Sequence, residues 1–124
     1  MGSQFDMKIL SVAILFGGRS GEHEVSLMSA RSVLENIDRS RYQVTEVGIT
    51  PQGNWLVGEN VLAAFEAKDF SALTPACFIA EPGSHILYTR EISGQRTYLQ
   101  PFSQIDIVFP VLHGTFGEDG TLQG

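Results

Sequence analysis

The 124-residue sequence is poor in cysteine, in basic residues and in long apolar runs, and each shortage excludes a class of protein. A single cysteine, Cys77, cannot form an internal disulfide, so a reducing compartment such as the cytoplasm is expected. Eight Lys and Arg against 14 Asp and Glu give a net charge of −6, which argues against nucleic acid or an anionic membrane surface as partner. The longest apolar stretch, Val12 to Phe16, is far shorter than the ~20 residues of a membrane span.

The composition is that of one globular domain. Hydrophobic residues make up 43% of the chain and charged residues 18%, which is enough apolar surface to bury a core. Residues 1–6 (MGSQFD) are interpreted as a cloning remnant, with the natural start expected at Met7. Residues 7–124 are predicted to form a single α/β domain.

The order of the hydrophobic patterns predicts a Rossmann-like fold, an open and mainly parallel sheet with flanking helices. Apolar runs at residues 8–16 and 105–112 are typical of buried parallel strands. Helical spacing at residues 24–37 is followed by alternation at residues 42–49, which together predict a strand–helix–strand unit. The apolar face of this helix consists of Leu27, Ala30, Val33, Leu34 and Ile37, whereas Arg31 and Glu35 face away.

The middle of the chain gives weaker signals. A short strand is predicted at residues 54–57 and a helix at residues 61–68. Residues 86–88 and 96–99 are predicted to form a hairpin across Gly94.

Two glycine-rich loops follow predicted strands, and ligand chemistry is expected there. The first loop is Gly17 to Ser26 (GGRSGEHEVS), and the second is His113 to Gly120 (HGTFGEDG). Ligands of open parallel sheets bind beyond the carboxyl ends of the strands. If the two strands are neighbours, both loops therefore meet at one crevice.

The first loop does not have the glycine spacing of a dinucleotide fingerprint or of a P-loop. It carries two carboxylates, Glu22 and Glu24, which would repel a bound phosphate. They suit either of two tasks, support of a helix N-terminus or recognition of a cationic group such as an ammonium. The residues alone leave both interpretations open.

The second loop directly follows a buried strand, which predicts that His113 is anchored at the crevice. His113 could equally be a hydrogen-bonded structural histidine, and its spacing from Glu118 does not match a zinc site, so no metal is expected. A serine hydrolase is excluded because the sequence has no G-x-S-x-G elbow. His23 and His85 have no partners in the sequence and are predicted to lie at the surface.

Two segments together resemble the D-alanine–D-alanine ligase family. Phe16 to Ala30 (FGGRSGEHEVSLMSA) is similar to the family's first signature, and His113 to Gly124 (HGTFGEDGTLQG) is similar to its second. The segments GITPQGNW and DIVFPVLHG between them also resemble the longer members, so the resemblance covers nearly all of residues 7–124. Gly21 stands where alanine is common in the family.

The resemblance implies a three-domain ATP-grasp enzyme, of which residues 7–124 match the N-terminal, substrate-binding domain. That ligase joins two D-alanines with ATP and Mg²⁺ for peptidoglycan synthesis. The first D-alanine carboxylate is phosphorylated, and the amine of the second D-alanine then attacks the acyl phosphate. ATP and Mg²⁺ are implied to bind in the central and C-terminal domains, so residues 7–124 alone are predicted to be inactive. Family members are usually homodimers through this domain, so a second copy is an implied partner.

The resemblance also implies roles for particular residues. Glu22 matches the glutamate that holds the ammonium of the first D-alanine, and His113 matches the histidine near its carboxylate, so these two are the implied catalytic residues. The other implied site residues are Val25 at the substrate methyl, Ser26 in support of the loop, Gly17 and Gly18 for close backbone approach, and Glu118 as acidic support in the second loop.

Three alternatives stand beside this interpretation. The chain could be a non-catalytic Rossmann-like module for ligand binding or dimerisation, a different ATP-grasp ligase, or a D-alanine–D-lactate ligase. A helix is expected to begin at Thr121, but the sequence ends at Gly124, within the first turn of that helix. This predicts that the sequence is a fragment.

Overall fold

The computed structural model describes residues 8–111, which form two helices and seven strands. In chain order these elements are β1 (Leu10–Gly17), α1 (Ser20–Asn36), β2 (Tyr42–Ile49), β3 (Trp55–Val57), α2 (Val61–Ala67), β4 (Thr74–Glu81), β5 (Ser84–Ser93), β6 (Arg96–Gln104) and β7 (Ile107–Val111).

All seven strands belong to one sheet, in the order β6-β5-β4-β3-β2-β1-β7. β1 lies between β2 and β7 and is parallel to both, as the predicted α/β fold requires. The fold class is therefore confirmed. The sheet is mixed and not mainly parallel as predicted, because two of its pairings are parallel, whereas the four pairings from β2 to β6 are antiparallel.

The sheet folds back on itself between its two outer strands. β6 and β7 stand at opposite ends of the strand order, yet only Ile105 and Asp106 separate them in the chain. A flat seven-stranded sheet would place its outer strands roughly 29 Å apart, whereas this connection spans at most about 11 Å. β6 accordingly lies over β2, where Thr45 Oγ1 and Ser103 Oγ are 3.3 Å apart.

The sheet has a hydrophobic core on each of its two faces. The first lies between the helices and one face of the sheet and includes Phe16 of β1, Leu27 of α1 and Phe65 of α2. The second lies on the other face and joins Leu15 of β1 to Leu87 of β5. Strands β4 to β6 therefore cover the face of the parallel strands that no described helix covers.

The predicted apolar face of α1 is confirmed. Leu27 and Ala30 are buried in the first core, and Val33, Leu34 and Ile37 pack against it. The helix begins at Ser20, four residues earlier than predicted, and therefore includes the end of the first glycine-rich loop. Neither helix within residues 8–111 is long and apolar enough to cross a membrane.

Polar contacts fix α2 against its neighbours. The guanidinium of Arg31 on α1 binds both carboxylate oxygens of Glu66 on α2, with 2.8 Å between Nε and Oε2. Hydrogen bonding and charge in this pair raise the pKa of Arg31 and lower the pKa of Glu66. Because the pair is exposed, its contribution to stability is small. At the start of α2, Glu46 Oε1 accepts the Leu62 N–H at 2.9 Å and so caps the helix.

The weaker predictions for the middle of the chain are also confirmed as elements. The short strand is β3, the helix is α2, and the hairpin across Gly94 is β5 and β6. The sequence did not predict β4. Proline weakens the strand signal in the sequence of β4 and at the end of β6. Pro75 is the second residue of β4, and Pro101 lies beside the irregularity in the β5–β6 pairing.

We expect Gly21→Ala to stabilise the domain by about 0.5–1 kcal/mol, because alanine restricts the unfolded chain more than glycine does. Gly21 lies in the first turn of α1 with no positive φ, and a Cβ there would meet no atom within 4 Å. Urea unfolding followed by circular dichroism would report the gain as a higher midpoint at unchanged slope. A midpoint equal to or below that of the parent chain would contradict the open surroundings of Gly21.

Candidate functional site

The carboxyl ends of β1 and β7 lie side by side at one edge of the sheet. Phe16 pairs with Val111 in the parallel register, so the chain leaves both strands at the same edge. The condition for a shared crevice, that the two strands are neighbours, is therefore met. His113 and Glu118 lie outside the described residues, and their roles stay predictions.

The first loop begins with a turn that requires glycine. Gly17 and Gly18 have φ of 97° and 95°, in the left-handed region that favours glycine. A Cβ on Gly17 would lie 2.3 Å from the carbonyl oxygen of Ile49. The Gly18 N–H donates to the same oxygen at 2.7 Å. The ends of β1 and β2 are thus closer together than any side chain at position 17 would allow.

Ser26 joins the ends of β1 and β7. Its side chain is fully buried in the second turn of α1. The hydroxyl accepts the Gly17 N–H at 2.8 Å and donates to the carbonyl oxygen of Val111. One hydroxyl therefore fixes the spacing between the two strand ends, which suits a residue that supports the loop from beneath.

Glu22 and Val25 lie on the same side of α1, because residues three apart on a helix are neighbours. Glu22 is in the first turn and half-buried, while Val25 is 50% exposed one turn further on. The adjacent Glu24 is exposed. The start of α1 thus places a carboxylate next to an accessible apolar side chain, beside the ends of β1 and β7.

The prediction that His23 lies at the surface is wrong. Its side chain is only 9% exposed, and its Nδ1 lies 3.0 Å from the carbonyl oxygen of Gly18. The pattern of α1 carries a signal for this, since His23 precedes Leu27 and Ala30 by four and seven residues. Placing the helix start at Glu24 left His23 outside that apolar face. His85, by contrast, is exposed as predicted.

Metal ligands do not cluster in the described part of the chain. Across residues 8–111, no three His, Cys, Asp or Glu side chains come together as a group that could hold an ion. The chemistry that these residues offer at the sheet edge is therefore that of a carboxylate and an apolar contact.

Comparison with known proteins shows similarity along nearly the whole chain. The chain is 47% identical to a D-alanine–D-alanine ligase of Natranaerobius thermophilus, over 95% of this chain and 31% of the relative. It is 44% identical to D-alanine–D-alanine ligase A of Escherichia coli, over 95% of this chain and 32% of the relative. The chain therefore spans about a third of the length of the curated relatives that it matches.

Solved structures agree with these relatives. The VanG D-Ala:D-Ser ligase of Enterococcus faecalis superposes with a TM-score of 0.67 at 35% identity, covering 94% of this chain and 33% of that one. The D-alanine–D-alanine ligase of Coxiella burnetii superposes with a TM-score of 0.66 at 27% identity, covering 94% and 32%. The model of the family described as D-ala D-ala ligase N-terminus matches residues 11–124. With the fold, the relatives and the family model in agreement, this chain belongs to the D-alanine–D-alanine ligase N-terminal domain family.

Proposed function

We propose that this chain is the part of an ATP-dependent D-alanine–D-alanine ligase that binds the first D-alanine. The observation that carries the proposal is the pairing of Glu22 with Val25 at the start of α1, beside the ends of β1 and β7. The proposed reaction forms a carbon–nitrogen bond between two D-alanines, and its dipeptide product is used in peptidoglycan synthesis.

The chemistry of a small amino acid fits this pair of side chains. An ammonium group beside the half-buried carboxylate of Glu22 would gain a charge-assisted hydrogen bond. A methyl group beside Val25 would bury apolar surface of both partners. His113, from the second loop, is proposed to bind the substrate carboxylate, with Glu118 in support.

The turn at Gly17 and Gly18 has a matching task in this proposal. Gly17 lets the ends of β1 and β2 approach each other, and the partly exposed Gly18 is proposed to let the substrate come close to the backbone at the edge of the sheet. Ser26 holds that turn and the end of β7 at a fixed spacing through its two hydrogen bonds. Fixed spacing suits a reaction in which positioning of the substrates supplies much of the rate.

ATP and Mg²⁺ are proposed to bind in the larger part of the ligase. The relatives are about three times as long as this chain, which leaves two thirds of their length for that task. The need for ATP supports a cytoplasmic location. The residues of this chain then bind and orient the first D-alanine, while phosphoryl transfer takes place on groups outside it.

The choice of the second substrate is proposed to lie outside this chain. The domain is similar both to D-alanine–D-alanine ligases and to a D-Ala:D-Ser ligase, and the names of these enzymes share only the first D-alanine. A D-alanine–D-lactate ligase remains an alternative for the same reason.

Glu22→Gln is expected to weaken D-alanine binding by about ten- to a hundredfold, because a hydrogen bond to a charged group contributes about 1.5–3 kcal/mol. Binding would be followed by NMR titration of the 124-residue chain with D-alanine, using the amide signals of the first loop. The same chain, supplied with ATP, Mg²⁺ and D-alanine, is expected to form no dipeptide.

Glu24→Gln is the matched control. It removes the same charge two residues further along α1, but from an exposed side chain, so any effect of charge on the helix start is common to both variants. Equal losses in the two variants would reject Glu22 as the ammonium ligand. Dipeptide formed by the 124-residue chain would overturn the division of labour between this chain and the rest of the ligase.

We further propose that the ligase is a homodimer through this domain. Large apolar side chains that are exposed in the described residues support an interface, among them Met28 of α1 at 73% and Ile92 of β5 at 74%. Light scattering over a range of protein concentrations would test this proposal. The mass of one chain at every concentration would count against it.

A further inference from the structure

His23 is a buried titratable side chain to which the proposed function assigns no task. It lies in α1 directly after Glu22, and 9% of its surface is exposed. Nδ1 of His23 is 3.0 Å from the carbonyl oxygen of Gly18. A carbonyl oxygen can only accept a hydrogen bond, so Nδ1 must carry the hydrogen and donate it.

An aromatic cluster sets the orientation of the imidazole. The ring stacks on Phe65 of α2, with 5.8 Å between the ring centroids and 23° between the planes. Phe65 is itself held by an edge-to-face contact with Phe16 and by a tilted contact with Phe70. The imidazole therefore rests on a ring that is fixed from two further sides.

Gly48 of β2 makes this cluster fit. A Cβ on Gly48 would lie 2.2 Å from Cε1 of Phe65, so only glycine lets the phenyl ring lie this close to the sheet. Phe65 is 1% exposed, so its ring cannot move away from a side chain at position 48 without displacing the residues packed around it. The contact of Gly48 with Phe65 thus sets the distance between β2 and the phenyl ring on which His23 stacks.

The consequence is that both backbone polar groups of Gly18 are held. Its N–H donates to the carbonyl oxygen of Ile49 at 2.7 Å, and its carbonyl accepts from His23. The first contact ties the turn to β2, and the second ties it to the first turn of α1. Gly18 thus links the glycine turn to the helical turn that carries Glu22.

We propose that His23 is a positioning residue, which holds the glycine turn against α1 and thereby orients the Glu22 carboxylate. This inference rests on the proposed function only in the task assigned to Glu22. The fixing of Gly18 by the Nδ1–H of His23 concerns this chain alone and can be tested without substrate.

Two variants separate the hydrogen bond from the packing. His23→Phe keeps a ring on Phe65 but removes the donor. His23→Asn loses the ring but keeps an N–H donor at the equivalent position, the side-chain Nδ2. Urea unfolding of both variants shows first that each is folded and how much overall stability each has lost.

Amide hydrogen exchange in the 124-residue chain reports the position of the turn. In His23→Phe we expect exchange at the Gly18 and Glu22 amides to rise about three- to tenfold, the range that one neutral hydrogen bond confers. The amide of Leu87, buried in the second core, serves as reference and is expected to change by less than about twofold. His23→Asn is expected to return both loop amides to within about twofold of the parent chain.

The D-alanine titration then tests the orientation of Glu22. His23→Phe is expected to weaken binding about three- to tenfold, and His23→Asn to restore most of it. Unchanged exchange at Gly18 and Glu22 in His23→Phe would overturn the proposal. A rise that is equal at Leu87 would also overturn it, since it would mean a loss of overall stability only.

Failure of the proposed function looks different. If Glu22→Gln leaves D-alanine binding intact while His23→Phe speeds exchange only in the loop, then His23 fixes the turn and Glu22 is not the ammonium ligand. If Glu22→Gln weakens binding and His23→Phe changes neither exchange nor binding, the proposed function stands and His23 has no positioning task.

Discussion

Gly17→Ala is expected to lower the free energy of unfolding by about 4 kcal/mol, a large share of the stability of a domain of this size. Two costs add at this position. Alanine at a φ of 97° is strained, and its Cβ would lie 2.3 Å from the carbonyl oxygen of Ile49. That oxygen cannot retreat freely, because Ile49 is paired with Gly17 in the sheet and accepts the Gly18 N–H. Urea unfolding followed by the fluorescence of Trp55, the one tryptophan, would measure the loss.

Gly53→Ala separates the two costs. Gly53 has nearly the same φ, 96°, but a Cβ there would meet no atom within 4 Å. Its loss is therefore the backbone strain alone, about 1–2 kcal/mol. The remaining difference between the variants measures how tightly the ends of β1 and β2 approach each other. Equal losses of unfolding free energy in the two variants would mean that the ends of β1 and β2 can move apart without an energetic penalty.

Ser26→Ala is expected to cost about 3 kcal/mol. The substitution removes the hydroxyl that accepts the Gly17 N–H and donates to the Val111 carbonyl, and it leaves both groups in a buried place. Each buried backbone group that loses its partner costs about 1–3 kcal/mol, and alanine's better helix propensity returns only a small part. The unfolding midpoint in urea gives the total, and amide exchange at Gly17 gives the local loss.

Ser32→Ala is the matched control for this experiment. It makes the same change on the same helix at an exposed position, so it reports helix propensity alone and is expected to be slightly stabilising. Ser26→Ala should also weaken D-alanine binding if the spacing of the two strand ends matters to the site. A Ser26→Ala chain as stable as Ser32→Ala would show that the buried groups find other partners.

The fold was predictable where burial depends on one repeating pattern. β2 was predicted with its observed bounds and the apolar face of α1 with its observed members, because period-2 and period-3.6 patterns mark one buried face each. β4 was missed and β6 was predicted too short, because Pro75 interrupts the strand signal of β4 and Pro101 that of β6. Local sequence does not encode the folding back of β6 over β2 either, since that follows from a short connection between strands that are distant in the sheet.

The candidate site was predictable only in part, for a related reason. Residue patterns drew attention to the glycines and carboxylates of the first loop, but the task of Ser26 depends on Val111, 85 residues away. His23 was misplaced because the predicted helix start at Glu24 left it outside the apolar face of α1, and because its ring partner Phe65 lies on another helix. The contacts of Ser26 with Val111 and of His23 with Phe65, which hold the loop in place, could not be read from the sequence of the loop itself.

The short connection from β6 to β7 has a consequence for how the chain acquires its fold. β1 gains its second neighbour only when β7 arrives, and the Ser11 N–H then bonds to Asp106, 95 residues away. Pairings of such large sequence separation form slowly, since the intervening chain must be ordered first. During synthesis on the ribosome, one edge of β1 therefore has no hydrogen-bonding partner until β7, the last of the described strands, has emerged. An apolar strand with a free edge is a template for pairing with other chains, so we expect the nascent protein to be prone to aggregation in this interval.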